Sequence, residues 1–164
     1  MKHKIHKTNA MRYLDVHNIT YRTASYTWDE SDLGGLHVAD QLGQDPEQVF
    51  KTLVLKGERK GYVVCCIPSS STLDLKKVAH AAGDKKVEML PVKKLLPTTG
   101  YVRGGCSPLE MKRTFPTFID ETAILFDEIA ISAGERGEQI IVNGEELANL
   151  IGAPLVDLCS SAKS

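Results

Sequence analysis

The apolar and polar positions of the chain alternate between short helical and short extended periods. Ala10, Met11 and Leu14 recur at helical spacing behind Thr8 and Asn9, residue types that cap a helix start, and Asn18 falls near the end of the run. Residues 19–26 mix β-branched and aromatic types and read as a strand. The acidic stretch TWDESDLGG, 27–35, reads as a loop, 36–42 as a short helix closed by Gly43, and Asp45-Pro46 opens a further turn. VFKTLVL at 49–55 and YVVCCI at 62–67 flank the turn GERKG and predict a β-hairpin. Asp74 then caps a helix with Leu75, Val78, Ala79 and Ala82 on one face, stopped by Gly83. Residues 87–90 form a short strand or a helix lead-in, and 91–96 a short helix ended by Pro97. A strand is predicted to start at Tyr101-Val102, and others over 118–120, 123–126, 129–132 and 140–142, before a last helix over 145–151. Strands concentrated in the centre and decorated irregularly by helices predict an α+β fold, with a mixed sheet that curls into a partial barrel.

Composition narrows the class. The chain has 164 residues, 42% hydrophobic and 25% charged, which suits one globular domain over 1–164 that buries its own core. Only 6% of residues are aromatic, so that core must rest on Val, Ile, Leu and Ala. No apolar run is long enough for a membrane span, and the basic N-terminus MKHKIHKTNA is followed by no apolar stretch, so it is not a signal peptide. Cys65, Cys66, Cys106 and Cys159 form no C-x-x-C pair. They read as reduced thiols of a cytoplasmic protein, with Cys65 and Cys66 facing opposite sides of their strand.

The formal net charge of −1 hides a segregation. Residues 51–113 carry 13 Lys and Arg against 5 Asp and Glu, whereas 114–164 carry 2 against 9. The basic third includes the pairs Lys76-Lys77, Lys85-Lys86, Lys93-Lys94 and Lys112-Arg113. Such asymmetry points to a polyanion partner when the lysines share one surface, and to solvated faces when they do not.

Catalytic and metal motifs are absent: no G-x-S-x-G, Walker A loop, G-x-G-x-x-G or H-E-x-x-H, and no histidine pair at metal-ligand spacing. Two features remain. Lys51 stands inside an otherwise apolar strand, where its ammonium either snorkels to the edge or enters a cavity as a ligand for an anion or a carbonyl oxygen. Thr52 faces the other way, so both can enter one pocket only if the strand bulges. The second is the loop GYVRGGCSP. Gly104 and Gly105 open backbone angles closed to other residues, Pro108 fixes the exit, and consecutive N–H groups can face an oxyanion. Cys106 reads as a structural thiol, with Arg103 the one neighbour able to activate it. The weaker segment 131–137, ISAGERG, reads as a glycine-turn hairpin.

Taken together, KTNAMRYLD (7–15), VFKTLVL (49–55), LKKVAHAAGDKKVEM (75–89), GYVRGGCSPLEMKR (100–113) and ISAGERGEQI (131–140) resemble the YbaK/EbsC family, relatives of the editing domain inserted in bacterial prolyl-tRNA synthetases. The intact GGCSP and SAGxRG segments look like its Cys-tRNA(Pro)/Cys-tRNA(Cys) deacylase subgroup. The resemblance implies a single compact domain with a barrel-like mixed sheet and one deep pocket, and a trans-editing enzyme that clears Cys-tRNA(Pro). It implies Lys51 as the key catalytic residue. Tyr26, Thr52, Gly104, Gly105, Cys106, Ser107, Pro108 and Ser132 are implied as substrate-binding residues. Gly34 stands where relatives place bulkier residues, and Glu138 and Gln139 where the family varies. The implied partners are the acceptor end of an aminoacyl-tRNA and prolyl-tRNA synthetase, with no membrane, DNA, cofactor or metal. The resemblance further implies that the cysteine thiol attacks its own carbonyl while Lys51 and the loop N–H groups hold the ester, and an aminoacyl ester bearing its own thiol indeed needs no enzyme nucleophile. The alternatives are a deacylase for another small amino acid such as Ala-tRNA(Pro), using a bound water, and a non-catalytic tRNA- or synthetase-binding module.

Overall fold

The hairpin predicted around the turn GERKG is the spine of the molecule. The computed structural model describes residues 6–29, 31, 33 and 35–160, with only the backbone described at 35 and 36. In chain order the elements are α1 (Asn9–Val16), β1 (Tyr21–Ser25), α2 (Gly35–Leu42), β2 (Phe50–Gly57), β3 (Tyr62–Pro68), α3 (Leu75–Ala82), β4 (Val87–Met89), α4 (Leu95–Thr99), β5 (Thr117–Asp120), β6 (Ile129–Ser132), β7 (Glu138–Val142), α5 (Gly144–Ile151) and β8 (Leu155–Val156). Short 3-10 turns occupy Val92–Lys94 and Glu121–Leu125. One sheet has the order β4-β2-β3-β5-β8, antiparallel on the β4 side of β3 and parallel beyond it. The other is antiparallel, with the order β1-β7-β6. Among the described residues a parallel bridge, Val49 to Ala130, joins the two sheets of this α+β fold.

Alternation along the hairpin decides which helices it recruits. Phe50 and Cys66 face a core shared with Ala10, Met11 and Leu14 of α1, Ile131 and Ile140 of the small sheet, and Leu147 of α5. Leu55, Cys65 and Ile67 face the opposite core, against Val78 and Ala79 of α3. Cys65 and Cys66 therefore lie in different cores, as strand geometry requires. The predicted caps hold. The Thr8 hydroxyl accepts from the Met11 N–H, and the Asp74 carboxylate from those of Lys76 and Lys77.

Two predicted strands are not strands. Residues 121–125 wind into a 3-10 turn, because the buried Asp120 carboxylate accepts from the Thr122 N–H and hydroxyl and closes the chain at once. Ile124 and Leu125 are left at the surface. Tyr101-Val102 turns instead of extending. The Tyr101 N–H bonds the Thr99 hydroxyl, and the Val102 carbonyl is closed by the Gly105 N–H. The two-residue strand β8, unforeseen in the sequence, is fixed by Asp120, whose other oxygen accepts from the Leu158 N–H.

Candidate functional site

The site grows from a fork in the sheets. The β2–β3 register runs without a bulge from Phe50 opposite Pro68 to Lys56 opposite Tyr62. On its other edge β2 meets two different partners. The Ala130 N–H bonds the Gln48 carbonyl at the start, and β4 pairs only from Leu55 onward, with the Leu90 N–H on the Val54 carbonyl. Between these ends a cavity of about 770 Å³ opens against residues 49–54.

Lys51 and Thr52 both line this cavity although their side chains alternate. No bulge is needed, because the cavity runs along the edge of the strand and touches both faces. The Thr52 hydroxyl lies 3.6 Å from the Cys66 sulfur on one face. The half-buried Lys51 ammonium donates to the Ser69 carbonyl at 3.4 Å on the other. Ser69 is itself held to the Val49 carbonyl through both its N–H and its hydroxyl. Burial lowers the Lys51 pKa below the ordinary lysine value, and no ion pair joins Lys51 among the described residues.

The loop 103–108 forms a second wall. Gly104 adopts φ +86°, where a side chain is strained, and lines the cavity with Arg103 and Cys106. Gly105 lies flat against the 132–137 turn, and a Cβ there would sit 3.2 Å from the Arg136 nitrogen and the Glu135 Cα. Gly105, Ser107 and Pro108 are buried behind the loop and do not line the cavity. They hold its shape, with the Ser107 hydroxyl accepting from the Leu109 N–H. Arg136 binds the two turns together. Its Nε donates to the Arg103 carbonyl at 2.7 Å, and its guanidinium lies 5.2 Å from the centre of the Trp28 ring. The Cys106 thiol is buried, and burial pushes its pKa up to about 12, so it is a protonated thiol at neutral pH.

Tyr26 and Ser132 complete the predicted set in the cavity wall. The Ser132 hydroxyl accepts from the Gly134 N–H. Gly34 lies outside the described residues. Sequence reasoning passed over His37 of α2 and left Gln139 of β7 without a role, and both line the cavity. Gln139 is 5% exposed, and its side-chain oxygen is buried without a hydrogen-bond partner. Among the described residues, no cluster of three His, Cys, Asp or Glu could hold a metal ion, and no helix is long and apolar enough to cross a membrane.

The cavity thus lies on an unpaired stretch of strand edge, with Lys51 and a glycine-shaped loop in its walls. Residues 36–150 match the profile of the aminoacyl-tRNA editing domain. A proposed Cys-tRNA(Pro)/Cys-tRNA(Cys) deacylase, EbsC of Enterococcus faecalis, is 45% identical over 152 residues, 93% of each chain. The chain belongs to the aminoacyl-tRNA editing domain family. Two solved structures share its fold. A hypothetical protein superposes with a TM-score of 0.83 at 19% identity, over 91% of this chain and 97% of that one. A proposed trans-editing enzyme for prolyl tRNA synthetase superposes with a TM-score of 0.78 at 22% identity, over 94% and 99%.

Proposed function

We propose that the protein is a stand-alone editing deacylase that clears cysteine from mischarged proline tRNA, Cys-tRNA(Pro), in partnership with prolyl-tRNA synthetase. The observation that carries this reading is that a half-buried Lys51 and a protonated Cys106 thiol stand on two walls of one cavity. The site offers a cation to hold the ester and the terminal ribose. Its own thiol is a poor nucleophile at neutral pH. The substrate supplies what is missing. The cysteine sulfur bonds to its own carbonyl carbon, the bond from that carbon to the ribose oxygen breaks, and the thiol proton passes to the departing oxygen. The products are tRNA with a free hydroxyl and a four-membered cysteine thiolactone. The enzyme then contributes conformation and charge: Lys51 on the ester side, and the N–H groups of Gly104 and Cys106 toward the developing oxyanion. Selectivity follows, since serine and alanine carry no thiol.

The test is deacylation by two variants. Lys51→Ala is expected to lose about 100-fold or more, the scale of a lost electrostatic contact to the transition state. Cys106→Ala is expected to keep most of the activity. Full activity of the Lys51 variant overturns the role of the lysine. A folded but inactive Cys106→Ala variant makes the enzyme thiol the nucleophile instead.

A further inference from the structure

The fork that creates the cavity also leaves a piece of backbone without a strand partner. In an antiparallel ladder a residue's N–H and C=O point to the same side, and the side alternates along the strand. The Ser69 N–H on the Val49 carbonyl, and the Gly57 N–H on the Gly61 carbonyl, assign the odd residues of β2 to β3. The even residues face the other edge, and their bonds confirm it: Gln48 with Ala130, Val54 with Leu90 and Glu58 with Lys86. Thr52 is the even residue midway along the open stretch. Among the described residues no strand pairs with it on that side. Its main-chain N–H and C=O are therefore aimed along the wall of the cavity that Lys51 and Thr52 line.

An α-aminoacyl ester presents the same pair of groups. Its ammonium donates, its carbonyl oxygen accepts, and the two are spaced as the N–H and C=O of one strand residue. The described residues lining the cavity include no Asp or Glu, so an ammonium there has neutral acceptors to use. The loop offers fewer donors than its glycines suggest, because the Gly105 N–H is already bonded to Val102. We propose that the aminoacyl group docks on Thr52 as a one-residue strand. Its α-ammonium donates to the Thr52 carbonyl, and the Thr52 N–H donates to the ester oxygen on which charge develops. Gln139, with its buried unpartnered oxygen in the same cavity, is a second neutral acceptor for the ammonium. This deepens the deacylase reading and rests on it. It makes recognition of the amino-acid backbone a property of the fold, which no side-chain motif announces.

The experiment replaces Thr52 by its α-hydroxy acid analogue through nonsense suppression, turning the N–H into an ester oxygen and leaving the side chain intact. The N–H has no strand partner, so the melting temperature is expected to hold. Single-turnover deacylation of Cys-tRNA(Pro) is expected to fall about 100-fold, as when an oxyanion donor is lost. The complementary substrate is 3-mercaptopropionyl-tRNA(Pro), which keeps ester and thiol but lacks the ammonium. With unaltered enzyme its KM is expected to rise about 10-fold, the loss of a charge-assisted hydrogen bond. If the variant does not fold, this second measurement decides alone. Wild-type rates in the variant, or equal KM for the two substrates, overturn the docking and leave the deacylase reading standing. Unaltered enzyme that releases no cysteine overturns both.

Discussion

At the scale of single residues, the proposed chemistry rests on Lys51, whose surroundings make it unusual. Burial lowers the Lys51 pKa, so its ammonium gives up its proton at lower pH than an exposed lysine. The charged form exists below the pKa, and in the proposed mechanism it is the charge that holds the ester. A pH–rate profile is therefore expected to fall on its alkaline side, with the descent starting below the ordinary lysine value of about 10.4. A profile flat through that range contradicts a charged role for Lys51. The lysine was legible in the sequence because a charge inside an apolar strand demands a reason. Gln139 was not, since a glutamine at the start of β7 reads as an ordinary polar strand residue. Only the assembled β1-β7-β6 sheet shows it buried with its oxygen unpartnered.

At the scale of elements, the site depends on two turns locked face to face. Gly105 is the contact, and Arg136 is the tie. Gly105→Ala would push the 103–108 and 132–137 turns apart by a few tenths of an ångström. It is expected to lower deacylation about 10-fold with about 1 kcal/mol of lost stability, the low end of overpacking. Unchanged activity would show that the spacing of the turns does not matter. Asp120 does comparable work for the C-terminal segment: its carboxylate accepts from the N–H groups of Thr122 and Leu158 and from the Thr122 hydroxyl. Asp120→Ala leaves the buried Leu158 N–H and the part-buried Thr122 donors unmet and is expected to cost about 2 kcal/mol, read by chemical denaturation. A variant as stable as wild type contradicts that anchoring role. These elements also show where sequence reading reached its limit. The hairpin, α1, α3 and α5 were legible from alternation and caps. The stretch 123–126 was not, because AILF carries strand propensity and the competing signal, Asp120 as a cap, acts through tertiary burial. The pairing of Lys51 with Thr52 in one cavity escaped for a similar reason. Strand parity assigns faces, and only the fork between β6 and β4 creates an edge that reaches both.

At the scale of the whole molecule, two lysines of the basic third stand beside the cavity. Lys93 and Lys94 are exposed on the turn between Leu90 and Leu95, both of which line the cavity. Val92 and Leu96 stand exposed beside them. In the proposed function this rim meets the tRNA acceptor end, largely through phosphate. Charge reversal of both lysines is expected to weaken tRNA binding and to lower the slope of log affinity against log salt by about 2. An unchanged slope places the tRNA elsewhere.

In the proposed mechanism the substrate's thiol performs the chemistry and the fold holds it in position. The most direct test is single-turnover deacylation of Cys-tRNA(Pro), Ala-tRNA(Pro) and Ser-tRNA(Pro) side by side at equal enzyme. Rapid loss of cysteine is expected, with alanine and serine retained. Release of alanine or serine at a comparable rate would contradict it, because neither carries a thiol to attack its own ester.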